Sequence, residues 1–247
     1  MRDEGVHFLD ARGPEGIRIY AMGDVHGRAD LLKLMHERIE AEIARDRPAD
    51  WRILHLGDYV DRGPDSKAVL DFLVAAHSRD ERIVSLAGNH DVGFLEFLDK
   101  PDPATLFARF GGAETARSYG VTLDSGSSAA LRESHSALMD AVDDSHVAFL
   151  RARPFSAAMG DFFFCHAGIR PEVALDKQAA EDLIWIRADF LDYRALHPKI
   201  IVHGHTPFAE PEILPNRVNV DTLAYRSGVL TALVVDGAEK RMLSVRA

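Results

Sequence analysis

IRIYAMGDVHG, residues 17–27, runs from a short apolar stretch straight into Gly23-Asp24-Val25-His26-Gly27. A short β-branched run closed by Gly and Asp reads as a buried strand. A carboxylate and an imidazole at its end are metal-type ligands. The arrangement recurs four times. RILHL (52–56) leads into Gly57-Asp58-Tyr59-Val60-Asp61-Arg62-Gly63, and RIVSLA (82–87) into Gly88-Asn89-His90-Asp91. DFFFC (161–165) leads into His166-Ala167-Gly168, and KIIV (199–202) into His203-Gly204-His205-Thr206. In open α/β sheets, ligands gather beyond the carboxyl ends of strands. Five such ends in one sheet would bring these side chains into one cleft, with the glycines allowing sharp turns and close backbone approach.

Between these strands the apolar spacing changes. Leu31, Met35, Ile39 and Ile43 recur every four residues after Asp30, and Val69, Phe72, Leu73 and Ala76 follow Pro64-Asp65-Ser66 with helical spacing. Both read as amphipathic helices. Residues 91–119 and 129–151 also read as mainly helical, a cover over a sheet edge. RVNV (217–220) and VLTALVV (229–235) read as further strands. Strand and helix alternate first, and strands then follow in quicker succession. This pattern predicts an α/β layered fold with a mixed sheet or two sheets, turning from parallel to antiparallel pairing near residue 199. No repeat or interdomain linker interrupts residues 1–247, so a single domain is expected.

The chain has 247 residues, 47% of them apolar, enough to bury a sizeable core. Its formal charge of −10 argues against non-specific nucleic-acid binding, which relies on Lys and Arg neutralising phosphates. A small phosphate site is compatible with that charge, because local arginines and metals dominate its field. Cys165 is the single cysteine, so no intrachain disulfide exists and a reducing compartment is expected. No apolar run reaches membrane-spanning length. The stretch MRDEGVHFLDARGPEGIR lacks the apolar segment of a secretory signal, which points to the cytoplasm.

Taken singly, each polar cluster has an ordinary explanation. Gly-Asp-x-His suits a turn, Asp-Arg-Gly-Pro a turn with a surface ion pair, and His166 a core histidine. All of them at successive strand ends is a different matter. Mixed carboxylate and imidazole donors suit Mn, Fe or Zn, whereas Mg or Ca prefers oxygen alone. A carboxylate can bridge two metals, and two metals can steady both oxygens of a phosphoryl transfer. Arg62 offers a planar fork that matches phosphate oxygens. Cys165 alternates with His166 along a strand, so its thiol is expected to face the opposite way, inert in the core.

The order GDVHG, GDYVDRGPDS, GNHD, HAG, HGHT resembles the phosphoprotein phosphatase family of metallophosphoesterases, which includes bacterial serine/threonine protein phosphatases and diadenosine tetraphosphatases. The resemblance spans about residues 19–235. It implies an αββα sandwich with a helical insert and two divalent metal ions, Mn in bacterial members with Fe or Zn as alternatives. By the same resemblance, Asp24 and His26 hold one ion, Asp58 bridges, and Asn89, His166 and His205 hold the other. Arg62 and Arg187 bind the phosphate. His90, oriented by Asp61, protonates the leaving oxygen after direct attack by a metal-bridging hydroxide. A carboxylate beside an imidazole favours the protonated form that such an acid needs. His205 is preferred to His203 because the matching family histidine directly precedes Thr. His203 is then structural, although two positions along a strand would put both on one face.

Substrate choice is less determined. The diadenosine tetraphosphatases tend to have Ala-Arg-Gly where this chain has Asp61-Arg62-Gly63, which favours phosphomonoesters, foremost phosphoserine and phosphothreonine in proteins. A symmetrical dinucleoside tetraphosphate hydrolase is the alternative. Asp91, where many protein phosphatases have Glu, occurs in the tetraphosphatases and some bacterial members. Leu223 replaces the Gly of a bacterial Asp-Thr-Gly-Ala-Tyr segment and should alter a loop near the cleft. Phe110-Gly111-Gly112-Ala113-Glu114-Thr115 and Ser118-Tyr119-Gly120 are similar to a helical insert of bacterial members, where covering loops would select the substrate.

Overall fold

The computed structural model describes residues 5–247, so the first four residues of the N-terminal stretch read above lie outside the described residues. β1 (Ile17–Met22), α1 (Ala29–Asp46), β2 (Asp50–His55), α2 (Ser66–Arg79) and β3 (Ile83–Ser85) alternate as the spacing predicts. The helices α3 (Asn89–Asp99), α4 (Leu106–Arg109), α5 (Gly112–Ser118), α6 (Ser128–Ala141) and α7 (Asp144–Arg151) form the expected insert. β4 (Ser156–Met159), β5 (Phe162–Cys165), α8 (Ala180–Trp185), α9 (Ala188–Leu191), β6 (Ile200–His203), β7 (Glu212–Ile213), β8 (Arg217–Asn219), α10 (Ala224–Ser227), β9 (Val229–Asp236) and β10 (Glu239–Arg246) complete the chain.

Two five-stranded mixed sheets result, ordered β10-β9-β1-β2-β3 and β4-β5-β6-β8-β7. Two expectations are corrected here. The five ligand-bearing ends do not share one sheet: β1, β2 and β3 belong to the first, β5 and β6 to the second. Nor does pairing change direction near residue 199, because β6 is parallel to both β5 and β8. Antiparallel pairing enters instead in β4–β5, β7–β8 and β9–β10, each joined without a helical crossover, and where β9 lies against β1.

The sheets face each other across a core of Ile19, Ala21, Leu54, Leu56 and Leu86 on one side and Phe162, Phe164, Ile200, Val202 and Val218 on the other. The alternate residues point outward. Tyr20, Met22 and Ile53 meet α1, α2 and the insert through Leu31, Met35, Ile39, Leu73, Phe94 and Phe107. Phe163, Cys165 and Ile201 meet Leu183, Ile186 and Phe190 of the α8–α9 segment. The layers are therefore αββα. Cys165 lies buried on the outer face of its sheet, where its thiol donates to the Gly168 carbonyl at 3.3 Å. Asp65 caps α2 by accepting the Ala68 N–H at 3.0 Å, which fixes where the helix after the β2 loop begins.

Candidate metal centre

Every predicted ligand sits where a strand hands over to a loop or helix. Asp24 and His26 follow β1, Asp58, Asp61 and Arg62 follow β2, and Asn89 and His90 open α3. His166 follows β5, His205 lies two residues past β6, and Arg187 separates α8 from α9. The carboxyl edges of the two sheets meet, and all six candidate ligands are buried there.

Asp58 stands at the middle. Its Oδ2 is 3.3 Å from His26 Nε2 and 3.4 Å from His166 Nε2, while its Oδ1 accepts the His90 N–H at 3.0 Å. Asn89 Oδ1 lies 2.9 Å from both His166 Nε2 and His205 Nδ1. Asp24 accepts the His205 N–H at 3.2 Å and comes within 4.0 Å of His166. Backbone carbonyls orient two imidazoles: Val60 takes the Nδ1–H of His26 (2.7 Å) and Leu56 that of His166 (3.0 Å), so each ring presents Nε2 to the cluster.

The local backbone is strained to make this possible. Of eight non-glycine residues with positive φ among the described residues, five are predicted site residues: His26, Asp58, Asp61, Arg62 and His205. Such conformations persist where the surroundings over-determine them, and they cluster at functional sites. Gly88 and Gly204 are required by contact, since a Cβ on either would collide with a ligand carboxylate, Asp58 or Asp24.

Burial dominates the electrostatics. It pushes His26 down to about 3 and lowers His205 as well, so both rings are neutral. Burial and the nearby Asp221 raise Asp24 well above the carboxylate range. Burial also works against charge on Asp58 and His166, but there the pairing wins. Three imidazoles hold Asp58 well below its ordinary value, and Asp58 and Asp24 bring His166 up to about 9. The carboxylates thus draw positive charge to this point.

The donor set fits a pair of divalent ions. Asp58 falls within two compact groups of donors, one with His26 and His90, the other with His166 and His205. Separations of 2.9–3.4 Å between donor atoms match neighbouring ligands around an ion with bonds of about 2.1 Å, which lie roughly 3.0–3.4 Å apart.

The residues expected to meet a phosphate surround this cluster. Arg62 donates to His26 Nε2 at 3.0 Å and His90 Nε2 at 2.8 Å, and Arg187 donates to His205 Nε2 at 3.1 Å. His90 Nδ1 is 2.6 Å from Asp61 Oδ2, the predicted pair. His203 stays outside. Its Nε2 accepts from Arg217 at 3.2 Å and its ring packs on Phe190. The same-face expectation for His203 and His205 fails because β6 ends at His203 and His205 turns to a φ of 64°.

Several further residues of the segments quoted above support the site. Asp91 accepts the N–H groups of Asp58 (2.8 Å), Tyr59 (2.8 Å) and Gly88 (2.9 Å), tying the two ligand loops together. Thr115 of the insert hydrogen-bonds Asp61. Tyr225 covers His26 and Arg62. Leu223, where the resembling segment has Gly, sits at a φ of 61° with its N–H donating to Asp221. For an L-residue that conformation costs roughly 1–2 kcal/mol.

Known proteins share this architecture. The chain is 26% identical over 234 residues to an asymmetrical bis(5'-nucleosyl)-tetraphosphatase from Anoxybacillus flavithermus, which covers 86% of this chain and 88% of that one. It is 31% identical over 155 residues to a symmetrical bis(5'-nucleosyl)-tetraphosphatase from Methylococcus capsulatus, covering 62% of this chain but only 44% of the relative. The crystal structure of a proposed diadenosine tetraphosphatase superposes with a TM-score of 0.63 at 17% identity, covering 94% of this chain and 98% of that one. A serine/threonine phosphatase structure from Saccharomyces cerevisiae gives 0.53 at 13% identity, covering 97% and 85%. At such identities these two structures speak to the fold alone. The family profile of the calcineurin-like phosphoesterases matches residues 17–234, the span that holds every candidate ligand. The chain therefore belongs to the calcineurin-like phosphoesterases, metal-dependent hydrolases built on this αββα frame.

Proposed function

We propose that the chain hydrolyses dinucleoside tetraphosphates at a centre of two divalent ions. The observation that carries this reading is the match to an asymmetrical bis(5'-nucleosyl)-tetraphosphatase along most of both chains. Exposed aromatics beside the site support it. Trp185, whose ring centre is 5.9 Å from that of His205, is 42% exposed, and Phe110, next to the Gly111 carbonyl that accepts the Arg62 N–H, is 51% exposed. Such rings offer stacking faces to nucleobases on either side of a polyphosphate.

In this reading Asp24 and His26 would hold one ion, Asn89, His166 and His205 the other, and Asp58 would be shared between them. Manganese suits the mixed oxygen and nitrogen donors, with iron or zinc also accommodated. When bound, the ions supply an acidified water and positive charge for the phosphoryl oxygens. Arg62 and Arg187 turn their N–H groups from the imidazoles to the phosphate. His90, its Nδ1 held by Asp61, presents Nε2 to the leaving oxygen. The chain acts as a single domain in the cytoplasm.

The 2.6 Å Asp61–His90 contact favours a second substrate class, phosphomonoesters including phosphoserine and phosphothreonine. An alkoxide leaves poorly and needs a proton, whereas a nucleotide phosphate leaves readily without one. A panel with added Mn separates the two: diadenosine tetraphosphate, a phosphoserine peptide and p-nitrophenyl phosphate. The highest kcat/KM is expected on diadenosine tetraphosphate, and AMP with ATP, or two ADP, reports the bond cleaved. Faster turnover of the phosphopeptide overturns the primary reading.

A further inference from the structure

We propose that Thr115, carried in by the helical insert, is a positioning residue for the Asp61–His90 pair and thereby sets how well the enzyme releases poor leaving groups. The inference rests on the reading of His90 as the acid.

Thr115 holds Asp61 at both ends. Its Oγ1–H donates to Asp61 Oδ1 at 2.9 Å, while Asp61 Oδ2 takes His90 Nδ1 at 2.6 Å. The Asp61 backbone N–H in turn donates to Thr115 Oγ1 at 2.8 Å and to Ser66 Oγ at 3.1 Å. Ser66 Oγ lies 2.9 Å from Thr115 Oγ1, and with the threonine proton already committed to Asp61 the serine is the donor. Asp61, Ser66 and Thr115 are all fully buried, so water does not stand in for any of these bonds. The insert adds a second hold one residue on, where the Gly111 carbonyl accepts the Arg62 N–H at 3.1 Å.

These bonds fall on strained backbone. Asp61 and Arg62 have consecutive φ values of 71° and 67°. Two left-handed residues in a row are disfavoured by sterics and persist only when neighbours fix them. Removing the Thr115 hydroxyl leaves Asp61 Oδ1 without a partner and its N–H on Ser66 alone. The carboxylate is then free to turn towards other donors, and the imidazole loses its fixed direction. The consequence falls on one chemical event. Hydrolysis forms a bond from the oxygen of water to phosphorus and breaks the bond from phosphorus to the leaving oxygen. The electron pair left on that oxygen takes a proton from His90 Nε2, and the water's proton restores it. A leaving group stable as an anion does not need this step.

The test compares phenyl phosphate, whose phenolate has a pKa of about 10, with p-nitrophenyl phosphate, whose anion is far more stable. Full-length wild type, Thr115→Val, Thr115→Ser and His90→Asn are assayed with Mn. Thr115→Val is expected to lower kcat on phenyl phosphate by about 10–100-fold, a fraction of the whole effect of general acid catalysis. KM and p-nitrophenyl phosphate turnover should stay close to wild type, and Thr115→Ser should restore the loss. His90→Asn should show the same dependence on leaving group more strongly. An equal fall of both substrates in Thr115→Val, or no fall in either while His90→Asn keeps its dependence, overturns the proposal. A His90→Asn variant with no such dependence overturns the acid reading and the proposal with it.

Discussion

Asp91 offers the most demanding test of how the ligand loops are held. Its two oxygens accept three backbone N–H groups, from Asp58, Tyr59 and Gly88, all buried. Burial and the neighbouring Asp58 push the group up to about 7, while the Tyr59 and Gly88 N–H groups favour the carboxylate. Asp91→Asn keeps the shape but replaces one oxygen with an NH₂. In either orientation at least one backbone N–H then meets another donor. With the oxygen in the Oδ2 position, the bonds to Asp58 and Gly88 survive and that to Tyr59 is lost. Each buried polar group left without a partner costs about 1–3 kcal/mol, and both the N–H and the NH₂ are affected, so a loss of about 3 kcal/mol is expected. That is a large share of a typical domain's 5–15 kcal/mol. The loop also carries Asp58 and Asn89, so divalent metal affinity should fall by roughly 10–100-fold, as when partners of metal ligands are removed. Urea unfolding of chelator-treated protein measures the first effect, and Mn titration calorimetry the second. A stability change under about 1 kcal/mol with unchanged Mn affinity refutes the role given to Asp91.

Other outcomes follow from the same structure. His36 and His55 face each other at 2.9 Å, and His55 continues to Ser85 and His77. Burial lowers His36 to about 4 and His55 well below its ordinary value. The folded pKa lies below the unfolded one, so the stability is present above about pH 6.5 and lost as pH falls towards 4, about 2 kcal/mol at pH 5 for His36. His36→Leu should therefore lose less stability between pH 7 and 5 than wild type, read by urea unfolding at both; an unchanged difference contradicts the assignment. Trp185→Ala should raise KM for diadenosine tetraphosphate by about 5–100-fold, the value of one stacked base. It should leave p-nitrophenyl phosphate nearly untouched, and equal effects on both substrates would count against a base-stacking role.

The strand-to-ligand junctions were legible because a short apolar run ending in Gly and a polar ligand is a local pattern. β1 begins and ends where IRIYAM does, and β2, β3, β5, β6, β8 and β9 fall within two residues of their runs. The division into two sheets was not legible, since strands of the same composition serve one sheet or two and only non-local pairing decides. β4 (Ser-Ala-Ala-Met) and β10, which opens on Glu239-Lys240-Arg241, were not legible because edge strands face solvent and lack the apolar run. In the site, residues that present side chains to the cluster could be named from their positions. Asp91 and Thr115 could not be given their roles, because they bind backbone groups 32 or 33 and 54 residues away in sequence. The substrate preference drawn from Asp61 and from the Thr206 that follows His205 rested on two side chains, and the match to a tetraphosphatase along most of both chains favours the alternative instead.

The central claim is a hydrolytic centre of two ions joined through Asp58. Chelator-stripped protein, titrated with Mn while diadenosine tetraphosphate hydrolysis is followed, tests it most directly. Activity should be absent at first and rise to its maximum at two ions per chain, and Asp58→Asn should lose both the second equivalent and turnover. Full hydrolysis by stripped protein, or an Asp58→Asn variant that binds two ions and retains wild-type turnover, would contradict it.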